Sequence, residues 1–338
     1  MRRKNPGQKT TGASPEFARD CVPEIRAALS LYATEAGQFT VLGPDPWRVV
    51  WNDARTGFVS FLEERHCVVS WRSPVAPAAE QAGLLVALRS YAQRKAVFAL
   101  GVDHLVARDL ETRGFHSTWV GTECHIKLTD WSVSGGRRQK VRWARSHAAT
   151  LGVTWREAHP EPGSPDERSL DRVEQRWKEE RRERATTSFL RNDFRELRVD
   201  RRYFVAELGG QVVASITCTP VSSESWYLQD PVRDPSAPRG ALEGAMAHAL
   251  DCLRDDGYTR ATNGILPFWQ PSDGTAAPEK SGVFITRMVG LFDRLYRFRS
   301  VNQFRSKFAP DDVVSVMVVR SQRWLTPQVV RSLTNILT

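Results

Sequence analysis

Gly209 and Gly210 separate two β-rich runs, Tyr203 to Leu208 and Val212 to Cys218, and together they predict a hairpin. The order of elements after this hairpin constrains the fold most. Trp226 to Leu228 is a short strand, and Leu242, Met246, Ala249 and Leu253 then recur on one helical face, with Gly257 placed to end that helix. A strand-like TRATNGIL, a helix-like VFITRMVGLFDRLYRF and a strand from Val313 to Val319 complete the series. Hairpin, strand, helix, strand, helix, strand excludes all-α and all-β folds and calls for α/β layers on a mixed sheet.

The first half repeats this order at lower fidelity. GFVSFLEE and HCVVSW make a hairpin, GLLVALRSYAQR a helix, AVFALGV a strand, DHLVARDLETR a helix, and HSTWVGTECHIKL one strand or two. Two copies of one unit are therefore expected, each with its own mixed sheet flanked by helices. The glycines of SVSGGRRQK mark the boundary. The expected division is a disordered basic arm at 1–18, an N-terminal unit at 19–133, a C-terminal catalytic unit at 134–325 and a helix or tail at 326–338. AHPEPGSPDE at 158–167 is expected to be a proline-rich surface loop.

At 338 residues the chain can bury two cores, and a charged fraction of 26% beside 41% hydrophobic residues is that of a soluble globular protein. A formal charge of +9 points to a polyanionic partner, either nucleic acid or an anionic membrane surface. The five cysteines are scattered and odd in number, which favours reduced thiols in the cytoplasm over a disulfide framework. The basic start lacks the apolar core of a signal peptide, and no apolar run reaches the roughly 20 residues of a membrane span.

Chemistry concentrates in two blocks. In LYRFRSVNQFRSKFAP, aromatics that can pack (Tyr296, Phe298, Phe304, Phe308) alternate with cations that cannot, so the run suits one wall of a site for an anionic or carbonyl group. In DPVRDPSAPRGALEG, Asp230, Arg233 and Glu243 lie around a turn that opens a helix. A pyrophosphate loop at that helix start needs glycines and no acid, but Ala237 stands three residues before Gly240 and Glu243 would repel phosphate, so acetyl-CoA is disfavoured. No pair among the seven histidines has metal-ligand spacing, and adjacent Cys124 and His125 in a strand point to opposite faces. Neither a metal nor a cofactor is implied.

These blocks resemble the catalytic domain of the phosphatidylglycerol lysyltransferases, the MprF family. The resemblance spans most of residues 110–320. It includes GTECHIKL, which looks like the family's Gly-Glu-Glu segment, the basic helix after it, Trp177 and Phe189. It also includes Asp230 with Arg233, Gly240 with Glu243, GYTRATNGILP and FRSKFAP. Three details depart: the family's Lys-x-Lys-Phe begins here with Arg305, its Gly-x-Ala-Pro-Leu appears as Gly264 to Phe268, and Pro231 stiffens the Asp230 turn. The resemblance implies a tandem GNAT fold, with the working site in the second copy and aminoacyl-tRNA as donor.

On that footing Asp230 or Glu243 holds the aminoacyl α-ammonium or takes the acceptor's proton. Lys307, with Arg305 beside it, stabilises the oxyanion or grips the terminal phosphates. Arg233 orients Asp230 or contacts phosphate, and Asn263 and Tyr296 complete the substrate contacts. Each has a plain structural alternative: an inert turn ion pair for Asp230 and Arg233, a first-turn acid for Glu243, and a solvated cation for Lys307. The expected tRNA surface is Arg137, Arg138, Lys140, Arg142 and Arg145, with Trp143 available to stack; the cations around Trp177 are interleaved with acids and read as a self-compensated helix. Without a membrane-embedded half, the chain is similar to the seryl-tRNA-dependent transferase of valanimycin biosynthesis, which implies a small soluble acceptor. Phosphatidylglycerol is the second acceptor, and a non-catalytic RNA- or membrane-binding module is the reading of another class.

Overall fold

The computed structural model describes residues 14–181, 197–270 and 298–337. In the N-terminal half, β1 (Glu16–Phe17) and α1 (Val22–Tyr32) precede β2 (Arg48–Trp51), β3 (Phe58–Glu63), β4 (Cys67–Trp71), α2 (Ala78–Ala92), β5 (Ala96–Asp103), α3 (His104–Thr112) and β6 (His116–Lys127). The C-terminal half runs α4 (Gln139–Thr150), β7 (Thr154–Ala158), α5 (Pro165–Arg181), β8 (Arg202–Leu208), β9 (Gln211–Ser222), β10 (Ser225–Arg233), α6 (Ala241–Asp255), β11 (Arg260–Pro267), α7 (Phe298–Arg305), β12 (Asp312–Arg320) and α8 (Pro327–Leu337). Among the described residues no helix is long and apolar enough to cross a membrane.

The strand order, β1-β2-β3-β4-β5-β12-β6-β11-β10-β9-β8-β7, discloses the duplication. Each half contributes an antiparallel hairpin, a parallel pair and a last strand, and the last strands are exchanged: β12 lies between β5 and β6, and β6 between β12 and β11. The two expected mixed sheets are thereby joined edge to edge into one, a tandem GNAT architecture without a free edge at the seam. The parallel pairs are the counterparts that matter. In the first half β4 and β5 stay paired over five residues, 67–71 with 96–100, whereas β10 and β11 pair only at 225–227 with 260–262 and then part.

Local chemistry explains the elements. The central strands are near-continuous apolar runs because helices cover both faces, as in Val212 to Cys218 of β9. Helix α6 buries Leu242, Met246, Ala249, Leu250 and Leu253 in one core with α4. A fully buried leucine of this kind contributes about 1.5–3 kcal/mol. The loop expected at 158–167 ends early: Ser164 Oγ accepts from the Glu167 amide at 3.1 Å and Glu167 Oε2 accepts from the Gly163 amide at 2.6 Å, a reciprocal cap that starts α5 at Pro165. Within the arm expected at 1–18, residues 16 and 17 pair with Val49 and Arg48. The helix expected over 283–298 lies outside the described residues but for its last position, as do Tyr296 and Phe189.

Candidate active site

Where β10 and β11 part, the sheet opens. Gly264 has φ +73°, and a side chain there would collide with the ring of Tyr227 on β10, so glycine lets that ring lie across the gap. Arg305, from the end of α7, spans the same opening: Nη1 donates to the carbonyl of Ile265 at 3.1 Å and Nη2 to the Tyr227 hydroxyl at 3.5 Å. Buried Asn263 donates to the carbonyl of Arg305 at 3.3 Å, and its Oδ1 has no hydrogen-bond partner among the described residues. Asp230 sits at a bulge in β10 with φ +51° and is buried. Arg233, by contrast, is exposed at the strand end and forms no ion pair among the described residues, so the turn pair between the two is not made.

Helix α6 follows β10 in the chain. Gly240, its N-cap, has φ +97°, and any Cβ there would overlap the backbone carbonyl of Ala144 on α4; a Cβ on Gly244 would overlap the Trp155 ring. The two glycines thus bring α4 and β7 against the first turn of α6, and Trp155 Nε1 locks the contact by donating to the carbonyl of Ala241 at 3.0 Å. Glu243, in that first turn, receives the ammonium of Lys307 at 2.8 Å across 64 residues of sequence. A cavity of about 280 Å³ opens around the pair, lined by Gln139, Lys140, Trp143 and Ala144 of α4 and by Arg239, Glu243 and Lys307. Its charges are three cations and one acid, and the N-terminus of α6 adds a positive dipole. Asp230 is not among the lining residues.

Lys307 owes its position to its neighbours. Phe308 is fully buried, stacked on Trp131 at 6.3 Å and edge-on to Phe304 at 5.7 Å. Arg138 then holds the turn: its guanidinium donates to the carbonyls of Phe308 and Ala309 at 3.1 and 3.4 Å and pairs with Asp311 at 3.2 Å. Burial opposes the charge on Arg138 and pushes its pKa down, while Asp311 pulls it back up.

Four of the five cations of the expected tRNA surface have partners within the protein. Arg137 pairs with Asp311 at 2.6 Å, Arg138 is buried, Arg142 donates to the carbonyls of Val133 and Gly135, and Arg145 pairs with Asp251 at 2.7 Å. These four arginines fasten α4 to the loops around it, because acids and carbonyls distant in sequence reach them. Among the described residues Lys140 alone of the five is exposed without an ion pair, and it lines the cavity. The residue that sequence reading missed is Arg239, whose guanidinium lies 4.9 Å over the half-exposed Trp143 ring. Its position directly before the α6 glycine was the available signal. Trp177 is buried against Val205 and Val232, not offered for stacking.

The arrangement can neutralise an anion and stabilise charge that develops on a carbonyl oxygen. It holds no thiol nucleophile: Cys252 Sγ lies 3.7 Å from His248 Nε2 on α6, but burial raises the thiol's pKa and lowers the imidazole's, leaving both neutral. Among the described residues no three His, Cys, Asp or Glu side chains are grouped as metal ligands.

The fold is shared with solved structures of low sequence identity. A C-terminal domain of a lysylphosphatidylglycerol synthetase from Agrobacterium fabrum superposes with a TM-score of 0.77 at 15% identity, covering 94% of this chain and 96% of that one. L-PGS from Bacillus licheniformis gives 0.71 at 14%, covering 93% and 95%, and FemX gives 0.53 at 8%, covering 92% and 97%. No curated protein matches the chain in sequence. Residues 46–319 match the C-terminal region of phosphatidylglycerol lysyltransferase, and the chain therefore belongs to that transferase family.

Proposed function

We propose that the protein is an aminoacyltransferase of the cytoplasm that moves an aminoacyl group, seryl among the candidates, from charged tRNA to a small amine or hydroxylamine in antibiotic or other specialised-metabolite biosynthesis. The observation that carries this reading is the Lys307–Glu243 pair, held at 2.8 Å in a cavity whose remaining charges, Lys140 and Arg239, are both positive. Such a cavity suits the 3′ end of a charged tRNA. An acetyl-CoA pyrophosphate is poorly served, because the Glu243 carboxylate occupies the helix turn it would need.

An aminoacyl ester is already activated, so the protein has only to orient the reactants, move a proton and stabilise charge. The acceptor nitrogen attacks the ester carbonyl and a C–N bond forms. Negative charge builds on the carbonyl oxygen, where the Lys307 ammonium donates to it. Collapse breaks the ester C–O bond, and the departing ribose oxygen takes up the proton that the amine gave away. Glu243 carries that proton or holds the aminoacyl α-ammonium; Asp230, on the strand before α6, is the alternative for either role. Arg305 and Asn263 keep the gap between β10 and β11 open, and exposed Arg233 is free to meet phosphate.

Phosphatidylglycerol is the second acceptor reading, favoured by the family to which the chain belongs. The donor half of the reaction is the same in both.

Incubating the protein with labelled aminoacyl-tRNAs, with amines or anionic vesicles as acceptors, tests the proposal through loss of the ester and the identity of the product. Lys307→Ala should lower the single-turnover rate by about two to three orders of magnitude, the scale for removing an oxyanion stabiliser, while tRNA affinity stays close to that of the parent. Full single-turnover activity in Lys307→Ala would overturn the assignment.

A further inference from the structure

A second cavity, of about 130 Å³, lies at the seam of the two halves, lined by Glu35, Arg72, Asp103, Glu123, His125 and Arg260 among others. No residue lines both cavities. They lie on opposite faces of the sheet: Ile126 of β6 packs in the core of α4 and α6, so Glu123 and His125, out of phase with it, face the other way.

Charge this deeply buried is costly, and it is kept only where it is paired and hydrogen-bonded. Arg72, fully buried with φ +67°, lies between Glu35 at 3.1 Å and Glu123. Glu123 is further satisfied by the Ala36 amide at 2.8 Å and the Thr262 hydroxyl at 3.0 Å. The pairing is nevertheless incomplete. Among the described residues Arg72 Nη1 has no hydrogen-bond partner, and Glu35 Oε1 and Asp103 Oδ2 make no hydrogen bond. Arg260, half-exposed at the rim, is held only loosely by Asp312 at 3.8 Å. One wall therefore lacks acceptors for its donors, and another lacks donors for its acceptors.

We infer that this cavity binds a free α-amino acid, with the carboxylate on Arg72 Nη1 and Arg260 and the ammonium on Glu35 and Asp103. The charge balance selects this class. Three carboxylates face two guanidiniums, and His125 is neutral near pH 7, so a lone anion meets net repulsion and a lone cation leaves the buried guanidinium unmatched. A zwitterion satisfies both ends, and 130 Å³ far exceeds the roughly 30 Å³ share of one water. Binding here does not depend on tRNA, so this inference stands or falls apart from the transfer reading.

Calorimetry on the full chain with glycine and L-serine, against ethylamine and acetate, tests it. Either amino acid should bind at least tenfold more tightly than both one-ended probes. Asp103→Asn and Arg260→Gln, both at partly exposed positions, should each weaken amino-acid binding at least tenfold, whereas Lys307→Ala in the other cavity should leave it unchanged. Arg72→Lys is expected to unfold or to bind poorly, so the two rim variants carry the decision. Absence of binding by both amino acids, binding equal to that of ethylamine or acetate, or binding that survives both rim variants would refute the site.

Discussion

Gly240→Ala perturbs the contact on which the Glu243–Lys307 cavity depends, and the structure separates two costs. The first is conformational: Gly240 has φ +97°, and an L-residue in left-handed backbone costs about 1–2 kcal/mol. The second is steric. The new methyl overlaps the backbone carbonyl of Ala144, which no rotamer change can move, so α4 must shift away from α6. Forcing an extra methyl into a packed interior costs about 1–3 kcal/mol. Together these give about 2–5 kcal/mol. For a chain of 338 residues the unfolding entropy is about 0.7 kcal/mol per degree, so the melting temperature should fall by about 3–7 °C. Gly257→Ala is the matched control, since its φ of +89° carries the same conformational strain but nothing lies within 4 Å of the added carbon. It should lose only about 1–3 °C. Paired thermal melts by circular dichroism separate the two costs. Equal shifts in both variants would mean that the Ala144 contact does not hold α4 in place, and the account of how this cavity is built would fail. Turnover should track the same difference, falling in Gly240→Ala and staying near the parent in Gly257→Ala.

Two further outcomes are expected. Replacing Lys140 and Arg239 together by alanine should weaken tRNA binding and flatten the dependence of log K on log salt by about one to two, while Arg142→Ala should leave that slope unchanged; filter binding between 50 and 200 mM salt is the check. His125, whose pKa is pushed down to about 4 by burial and then by Arg260 and Arg72, binds fewer protons folded than unfolded between pH 6.5 and 4. Its stabilisation is thus complete above pH 6.5 and lost as pH falls toward 4, by about 3 kcal/mol; urea titrations across that window should show a shallower acid-side loss in His125→Asn.

The strands and helices were legible where a period and a stop coincide. The paired glycines between β8 and β9, the apolar face of α6 with Gly257 behind it, and the β-branched run of β12 each carry local signals that nothing distant overrides. Glu243 and Lys307 could be placed in one site because their blocks matched a family pattern, and neither block alone says that the other is near. The strand exchange could not be read. β6 and β12 look like ordinary last strands of their units, and which edge each joins is decided by long-range register. For the same reason the seam cavity could not be read: Glu35 and Arg72 stand far in sequence from the GTECHIKL segment that holds Glu123 and His125, and nothing local says that they meet.

The basic helix α4 shows why a run of cations is weak evidence for a polyanion. Counting local acids left Arg137, Arg138, Arg142 and Arg145 uncompensated, yet their counter-charges arrive from elsewhere: Asp311 just before β12 and Asp251 from α6, with loop carbonyls completing the set. A guanidinium offers five donors in a rigid fork, so it gathers carbonyls from several segments at once, and a helix rich in arginine is as well suited to fastening loops as to tracking phosphates. Lysine, a single hydrated charge on a flexible stem, gains less from such a role, and Lys140 is the cation of this helix left in the cavity. Arg138 therefore acts on the Lys307 cavity at one remove. By holding the carbonyls of Phe308 and Ala309 it fixes the turn that aims Lys307 at Glu243, and α4, on which a tRNA surface was expected, contributes Gln139, Lys140, Trp143 and Ala144 to the wall of that cavity.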